Sequence, residues 1–199
     1  MKLTPQLFPT LILALTVSLA SGLARHAQAA PATALFAGGC FWCMEADFQK
    51  LDGVNEVISG FTGGTLKNPT YKGDHSGHYE AIEVSYDNSR ISYQQLLDVF
   101  WKNVDPFDDG GQFCDRGPSY LSALFVNGSA QRQAAEKSRA EVEKFFDQKS
   151  VVTPILASGT FWPVEEYHQD YFKKRPLRYK FYRSRCGRDA RLKELGYSP

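Results

Sequence analysis

Cys40 and Cys43 lie three residues apart in the run Gly38-Gly39-Cys40-Phe41-Trp42-Cys43. The apolar residues Ala34 to Ala37 before them predict a short buried strand, and Cys40 to Lys50 predicts a helix. A thiol at that junction faces unpaired N–H groups and the positive end of a helix dipole, both of which favour the thiolate. The two glycines let backbone approach a substrate closely. A C-x-x-C after a strand is equally the pattern of a thioredoxin-like disulfide exchanger. The pair could also be two buried structural cysteines, or half of a zinc site. Zinc would want a second paired knuckle. Cys114 and Cys186 stand alone, and His75 with His78 is only an H-x-x-H in a loop. No metal and no cofactor is expected. The residue types alone leave nucleophilic catalysis and disulfide exchange both open.

The elements around that turn must position it. Val54 to Phe61 and Tyr79 to Tyr86 alternate as strands, and the second places Glu80 among apolar neighbours. Ser92 can cap a helix striped by Leu96, Leu97, Phe100 and Trp101. Tyr120 to Val126 predicts a strand, Ser129 to Phe146 a helix, and Val152 to Leu156 a weak strand. From Phe161 the chain is aromatic and basic with little period. The order β-α-β-β-α-β-α-β, with two consecutive strands, predicts an α+β fold. The expected form is a two-layer α/β sandwich with a mixed sheet, a ferredoxin-like core, long irregular loops and an irregular C-terminal tail.

The chain has 199 residues, 43% of them hydrophobic and 23% charged, which suits one globular domain rather than disorder. A net charge of +1 argues against general nucleic-acid binding, which needs a basic excess. The basic residues Lys173, Lys174, Arg175, Arg178, Arg183, Arg185 and Arg188 are therefore expected to be a solvated face. Four cysteines are too few for a disulfide scaffold. The N-terminus has a positive start at Lys2, an apolar run from Leu7 to Leu23, and the small residues Ala27-Gln28-Ala29. That layout predicts a secretory signal over 1–29, cut between Ala29 and Ala30, and a single catalytic domain over 30–199. The run is short for a membrane span, so no stable insertion is expected after cleavage. The expected destination is the periplasm or the exterior, and the default state is a monomer.

The run GGCFWCMEADFQKLDGVNEVISGFTGG strongly resembles the peptide methionine sulfoxide reductases of the A type. Asn68-Pro69-Thr70-Tyr71, Gly77-His78-Tyr79-Glu80, Asp115-Arg116-Gly117-Pro118-Ser119-Tyr120 and the segment Phe161 to Gln169 match further family segments in order. The resemblance covers about Leu35 to Gly187. Two departures stand out. Many members have Gly where this chain has Cys43, and many have Asn-Asp where it reads Cys114-Asp115.

The resemblance implies reduction of methionine sulfoxide, the S epimer at sulfur, free or in proteins, with electrons from a thioredoxin-like thiol reductant. It makes Cys40 the nucleophile and Glu80 the acid that protonates the sulfoxide oxygen. Tyr71 and Tyr120 become donors to that oxygen, and Asp115 a carboxylate that orients them. Phe41 and Trp42 become the apolar wall for the substrate's methyl group. Attack leaves Cys40 as a sulfenic acid, which a second thiol must resolve. Cys186, in a tail expected to be mobile, is favoured for that step, with Cys43 and Cys114 as alternatives. His168 in an aromatic segment is expected to be structural.

Overall fold

A computed structural model of the chain describes residues 31–197. The expected signal segment lies outside the described residues, and among these no helix is long and apolar enough to cross a membrane.

The first strand, β1 (Ala32–Gly38), sits in the middle of the sheet, as its nearly unbroken apolar sequence demands. Gly38-Gly39 ends it, and α1 (Phe41–Phe48) follows at once. β2 (Val54–Thr62) and β3 (Tyr79–Tyr86) form an antiparallel pair, joined by the long polar loop between them. α2 (Tyr93–Lys102) starts at Ser92, whose side chain accepts from the Gln95 N–H while the Gln95 side chain accepts from the Ser92 N–H. β4 (Gly111–Gln112) and β5 (Asp115–Arg116) make a small hairpin inside a segment expected to be loop. A 3-10 turn, Pro118–Tyr120, leads into β6 (Ser122–Val126), then α3 (Gly128–Phe145), β7 (Ile155–Ala157) and β8 (Trp162–Pro163).

The six-stranded sheet has the order β7-β6-β1-β3-β2-β8, antiparallel except for the parallel β6–β7 pair. Within it, β1-α1-β2-β3-α2-β6 in the spatial order β6-β1-β3-β2 is the expected ferredoxin-like unit. Phe36 and Ile82, paired across β1 and β3, meet Phe48, Leu96, Leu97, Phe100 and Trp101 from the helices in one buried cluster. The opposite face is thinner. There Leu35, Ala37, Ala81, Ala123 and Phe125 are covered by Tyr79, Leu156 and Phe161.

The C-terminal segment departs from the sequence expectation. It is largely helical, as α4 (Tyr171–Lys174), α5 (Pro176–Arg185) and α6 (Arg188–Leu195). Tyr171 and Tyr179 face inward onto Cys43, while Leu177 and Phe181 face solvent. With apolar residues on both faces, a single hydrophobic stripe is absent, so the 3.6-residue period is hidden.

Before α4 the chain runs along the outer edge of β2. The Gln169 side chain donates to Ser59 O at 2.8 Å and accepts from Ser59 N at 2.9 Å, so its amide pairs with that strand as a backbone peptide would. Glu45 fastens the same turn to α1. Its carboxyl accepts from Asp170 N at 2.7 Å and from Ser59 Oγ at 3.0 Å. Burial pushes this carboxyl up to about 7. A carboxyl raised in the folded state adds stability in full below its unfolded pKa, and that share is lost as pH rises through about 7. The melting temperature should fall across that range in the wild type and much less in Glu45→Gln. Equal slopes in calorimetry would show that Glu45 does not titrate there.

Candidate active site

Cys40 occupies the N-cap position of α1 and is buried. Its carbonyl accepts from Cys43 N at 3.1 Å and Met44 N at 3.3 Å, so the first turn closes over it. The turn needs glycine at 39. Gly39 has a φ of 79°, and a Cβ there would stand 2.6 Å from Gln112 Cβ. Cys43, one turn on, is also buried and free.

The two thiols influence each other and are shifted in opposite directions. Burial pushes the Cys40 thiol well up, and its bond to Cys43 and the charges of Cys43 and Glu80 push the same way. Cys43 moves down to about 7, first because Cys40 donates to it, with Arg188 and Arg183 adding positive charge against the cost of burial. Of the two thiols, Cys43 is therefore the one that ionises first.

β3 delivers Glu80 to the same place. Its Oε2 accepts from Phe41 N at 3.1 Å, which sets the carboxyl against the residue next to Cys40. Burial pushes Glu80 up to about 8, with the charges of Asp115 and Cys43 adding to it and the Phe41 N–H opposing. It is therefore a protonated acid near neutrality. Tyr71 reaches the site on the β2–β3 loop. His78 ties that loop back, its Nδ1 accepting from Gly64 N at 3.2 Å and its Nε2 facing Leu66 O at 2.9 Å. Both His78 nitrogens are thus engaged and neither is free for a metal. Tyr120 comes from the 3-10 turn. Burial and the charge of Glu80 raise both tyrosines, Tyr71 to about 12, so each keeps a hydroxyl proton to donate.

The two aromatic residues after Cys40 divide the work. Phe41 is buried against Phe61, Tyr71 and His168. Trp42 is half-buried and lies flat on Tyr171, ring centroids 3.9 Å apart. Its indole N–H donates to His168 Nδ1 at 3.2 Å, so His168 orients Trp42. Trp42 forms one wall of an open groove of about 710 Å³ that runs past Tyr182 to Cys114 and Cys186.

Cys114 and Cys186 are joined by a disulfide across 72 residues of sequence. The four cysteines thus fall into two pairs, one free and buried, one bonded at the rim. The disulfide pins the β4–β5 turn, where Phe113 adopts a φ of 58° that a bulky side chain rarely takes. It also rests on Asp115, whose Oδ2 is 3.6 Å from Cys186 Sγ and accepts from the Tyr182 hydroxyl at 2.5 Å. Burial raises the Asp115 carboxyl. Tyr182, whose hydroxyl proton goes to Asp115, also stands near Cys40 and opposes the other influences on its thiol.

The structure thus gathers Cys40, Cys43, Glu80, Tyr71, Tyr120, Asp115 and Trp42 around one turn. Two residues were missed, Tyr182 and Arg188. Tyr179, Tyr182 and Cys186 sit at helical spacing i, i+3, i+7, a signal that the basic residues Lys180, Arg183 and Arg185 between them obscure. The expected solvated basic face is corrected in two places. Arg183 is mostly buried between Asp47 and Asp189, at 2.8 Å and 2.7 Å, and Arg188 is fully buried.

The chain matches the peptide methionine sulfoxide reductase family over residues 32–197. It is 55% identical, over 87% of its length and 91% of the relative's, to peptide methionine sulfoxide reductase MsrA 2 of Caulobacter vibrioides. It is 46% identical to an MsrA of Halalkalibacterium halodurans, over 78% of this chain and 91% of that one. Among solved structures it resembles Mxr1 of Saccharomyces cerevisiae in reduced form, with a TM-score of 0.69 and 29% identity over 75% of this chain and 88% of that one. Methionine sulfoxide reductase A of Corynebacterium diphtheriae aligns at a TM-score of 0.66 and 28% identity, over 76% and 78%. Matched by that family over residues 32–197 and 55% and 46% identical to these two MsrA proteins, the chain belongs to the peptide methionine sulfoxide reductases of the A type.

Proposed function

We propose that this chain reduces the S epimer of methionine sulfoxide, free or in proteins, at Cys40. The observation that carries the proposal is the protonated Glu80 beside Phe41 N, next to the thiol pair. A disulfide exchanger has no use for an acid aimed at an oxygen. The Cys40 proton passes to Cys43 as the Cys40 sulfur attacks the sulfoxide sulfur. Glu80 delivers its proton to the oxygen, and Tyr71 and Tyr120 donate hydrogen bonds to it. The S–O bond breaks, methionine leaves with two electrons gained, and Cys40 holds the oxygen as a sulfenic acid.

Cys43 is the free thiol beside that sulfenic acid. Its sulfur attacks Cys40, its proton leaves with the hydroxyl as water, and a Cys40–Cys43 disulfide forms. The bonded state of Cys186 favours a second route. There Cys186 resolves Cys40, and Cys114 then displaces Cys40 to give the Cys114–Cys186 disulfide seen at the rim. Either disulfide is reopened by a thioredoxin-like dithiol protein. The three-part N-terminus supports export to the periplasm or beyond, where thiols need such an electron source.

The test is turnover of a racemic methionine sulfoxide peptide with dithiothreitol, followed by chromatography. Consumption should stop at half of the substrate. No methionine, or consumption of both epimers, would remove the assignment.

A further inference from the structure

Arg188 begins α6, directly after Gly187, and its side chain is 1% exposed. The guanidinium enters the protein behind the first turn of α1. Nη2 donates to Gly38 O at 2.5 Å, Nη1 donates to Asn103 O at 2.9 Å, and Nη1 also reaches Met44 Sδ at 3.9 Å. Gly38 is two residues before Cys40, and Met44 is next to Cys43. The guanidinium also lies over the Phe113 ring, 4.5 Å from its centroid. Among the described residues it has no ion-pair partner. Asp115 and Asp189 feel its charge, but neither is at ion-pair distance. Arg183 differs, because Asp47 and Asp189 neutralise it.

A cation is expensive to bury unless an anion accompanies it. Carbonyls, a thioether and a ring face satisfy its donors with dipoles, yet leave the charge unbalanced. The groups around it able to carry a compensating charge are Asp115 and Asp189, neither at ion-pair distance, and the thiol pair on the other side of the same turn. We propose that Arg188 is a positioning residue of the reaction: its buried guanidinium is the fixed positive partner of the one negative charge shared by Cys40 and Cys43. The inference rests on the assignment of that pair to the chemistry. It explains how an apolar pocket that opposes ionisation still holds a thiolate. The other charged or titratable groups facing the pair are Glu80, Asp47, Tyr71, Tyr120, Tyr179, Tyr182 and Arg183, and only Arg183 among them is a cation.

The experiment is a pH titration of thiolate ultraviolet absorbance in the full protein, with the Cys114–Cys186 disulfide intact. Wild type should gain one thiolate with a midpoint of about 7. Arg188→Met should raise that midpoint by at least about one unit, leaving at least roughly fivefold less thiolate at pH 7. Arg188→Lys should restore much of the low midpoint, and Arg183→Met should shift it less than Arg188→Met does. An Arg188→Met titration that overlays wild type would overturn the inference. Should that variant fail to fold, by circular dichroism, wild type decides alone. A midpoint near the ordinary thiol value of about 8.5 overturns the proposal, and a low one supports it. Sulfoxide turnover is measured separately. A protein that titrates as expected but reduces no sulfoxide keeps the electrostatic role and loses the functional assignment.

Discussion

Glu80→Gln slows methionine formation in a single turnover by roughly 10²–10⁴-fold, the range of a lost general acid. Substrate affinity should hold, because the glutamine carbonyl can still accept from Phe41 N, as the carboxyl does at 3.1 Å. What disappears is the proton. The pH profile adds a second, independent expectation. The reactive state has one proton on the thiol pair and one on Glu80. The burst rate in wild type should therefore rise as pH climbs through about 7, where Cys43 ionises, and fall through about 8, where Glu80 loses its proton. The groups interact, so the two limbs belong to the cluster rather than to single residues. In Glu80→Gln the alkaline limb should vanish, because nothing is left to lose. A variant with the wild-type burst rate, or with both limbs retained, would take Glu80 out of the mechanism. Rapid-quench chromatography across pH measures both.

Cys40→Ser should form no methionine above background with any reductant, because a buried hydroxyl cannot replace the sulfur nucleophile or accept the oxygen. The other cysteines separate by reductant. With a thioredoxin-type protein, Cys43→Ser should release one methionine per enzyme and then stall. Its burst should also be slower, since the acceptor for the Cys40 proton is gone. Dithiothreitol attacks the sulfenic acid directly and should restore cycling. Cys114→Ser and Cys186→Ser should cycle with both reductants if Cys43 resolves the intermediate. A stall in Cys186→Ser with normal cycling in Cys43→Ser would transfer the resolving role to Cys186. The count of methionine per enzyme under the two reductants decides between them.

Much of this site is written in short runs of the chain. The glycine pair, the cysteine after it and the alternating strand carrying Glu80 are local patterns, and β3 spans the residues its alternation marks, Tyr79–Tyr86. Ser92 and Gln95 form a cap whose chemistry lies within four residues. What stayed hidden depends on contacts between distant segments. Four cysteines can pair in three ways, and nothing near Cys114 points to a partner 72 residues away. Arg188 reads as one more basic residue in a basic tail. Its burial follows from α6 docking behind α1, and that docking uses carbonyls and a ring that no side-chain pattern encodes. Tyr182 was obscure for a related reason. Its helix turns its polar tips inward to Asp115 and Cys40 and leaves Phe181 and Leu177 in solvent, the reverse of an ordinary amphipathic helix.

The amide of Gln169 on Ser59 bears on how this protein behaves at high concentration. A sheet ends in rows of unused N–H and C=O groups, and a long free row recruits strands from other molecules and seeds aggregates. Here one margin finishes in β7, three residues long. The other finishes in β8, two residues long and carrying Pro163, which has no N–H to offer. Immediately beyond β8, the side chain of Gln169 occupies the donor and acceptor of Ser59. With Val164 N also donating to Ser59 O, a single glutamine thus completes the cover of Ser59 without adding a strand that would itself expose a new edge. Replacing it would free the Ser59 N–H, since Ser59 O keeps its bond from Val164 N at 3.0 Å, and the cost would be read in solubility and light scattering before it was read in catalysis.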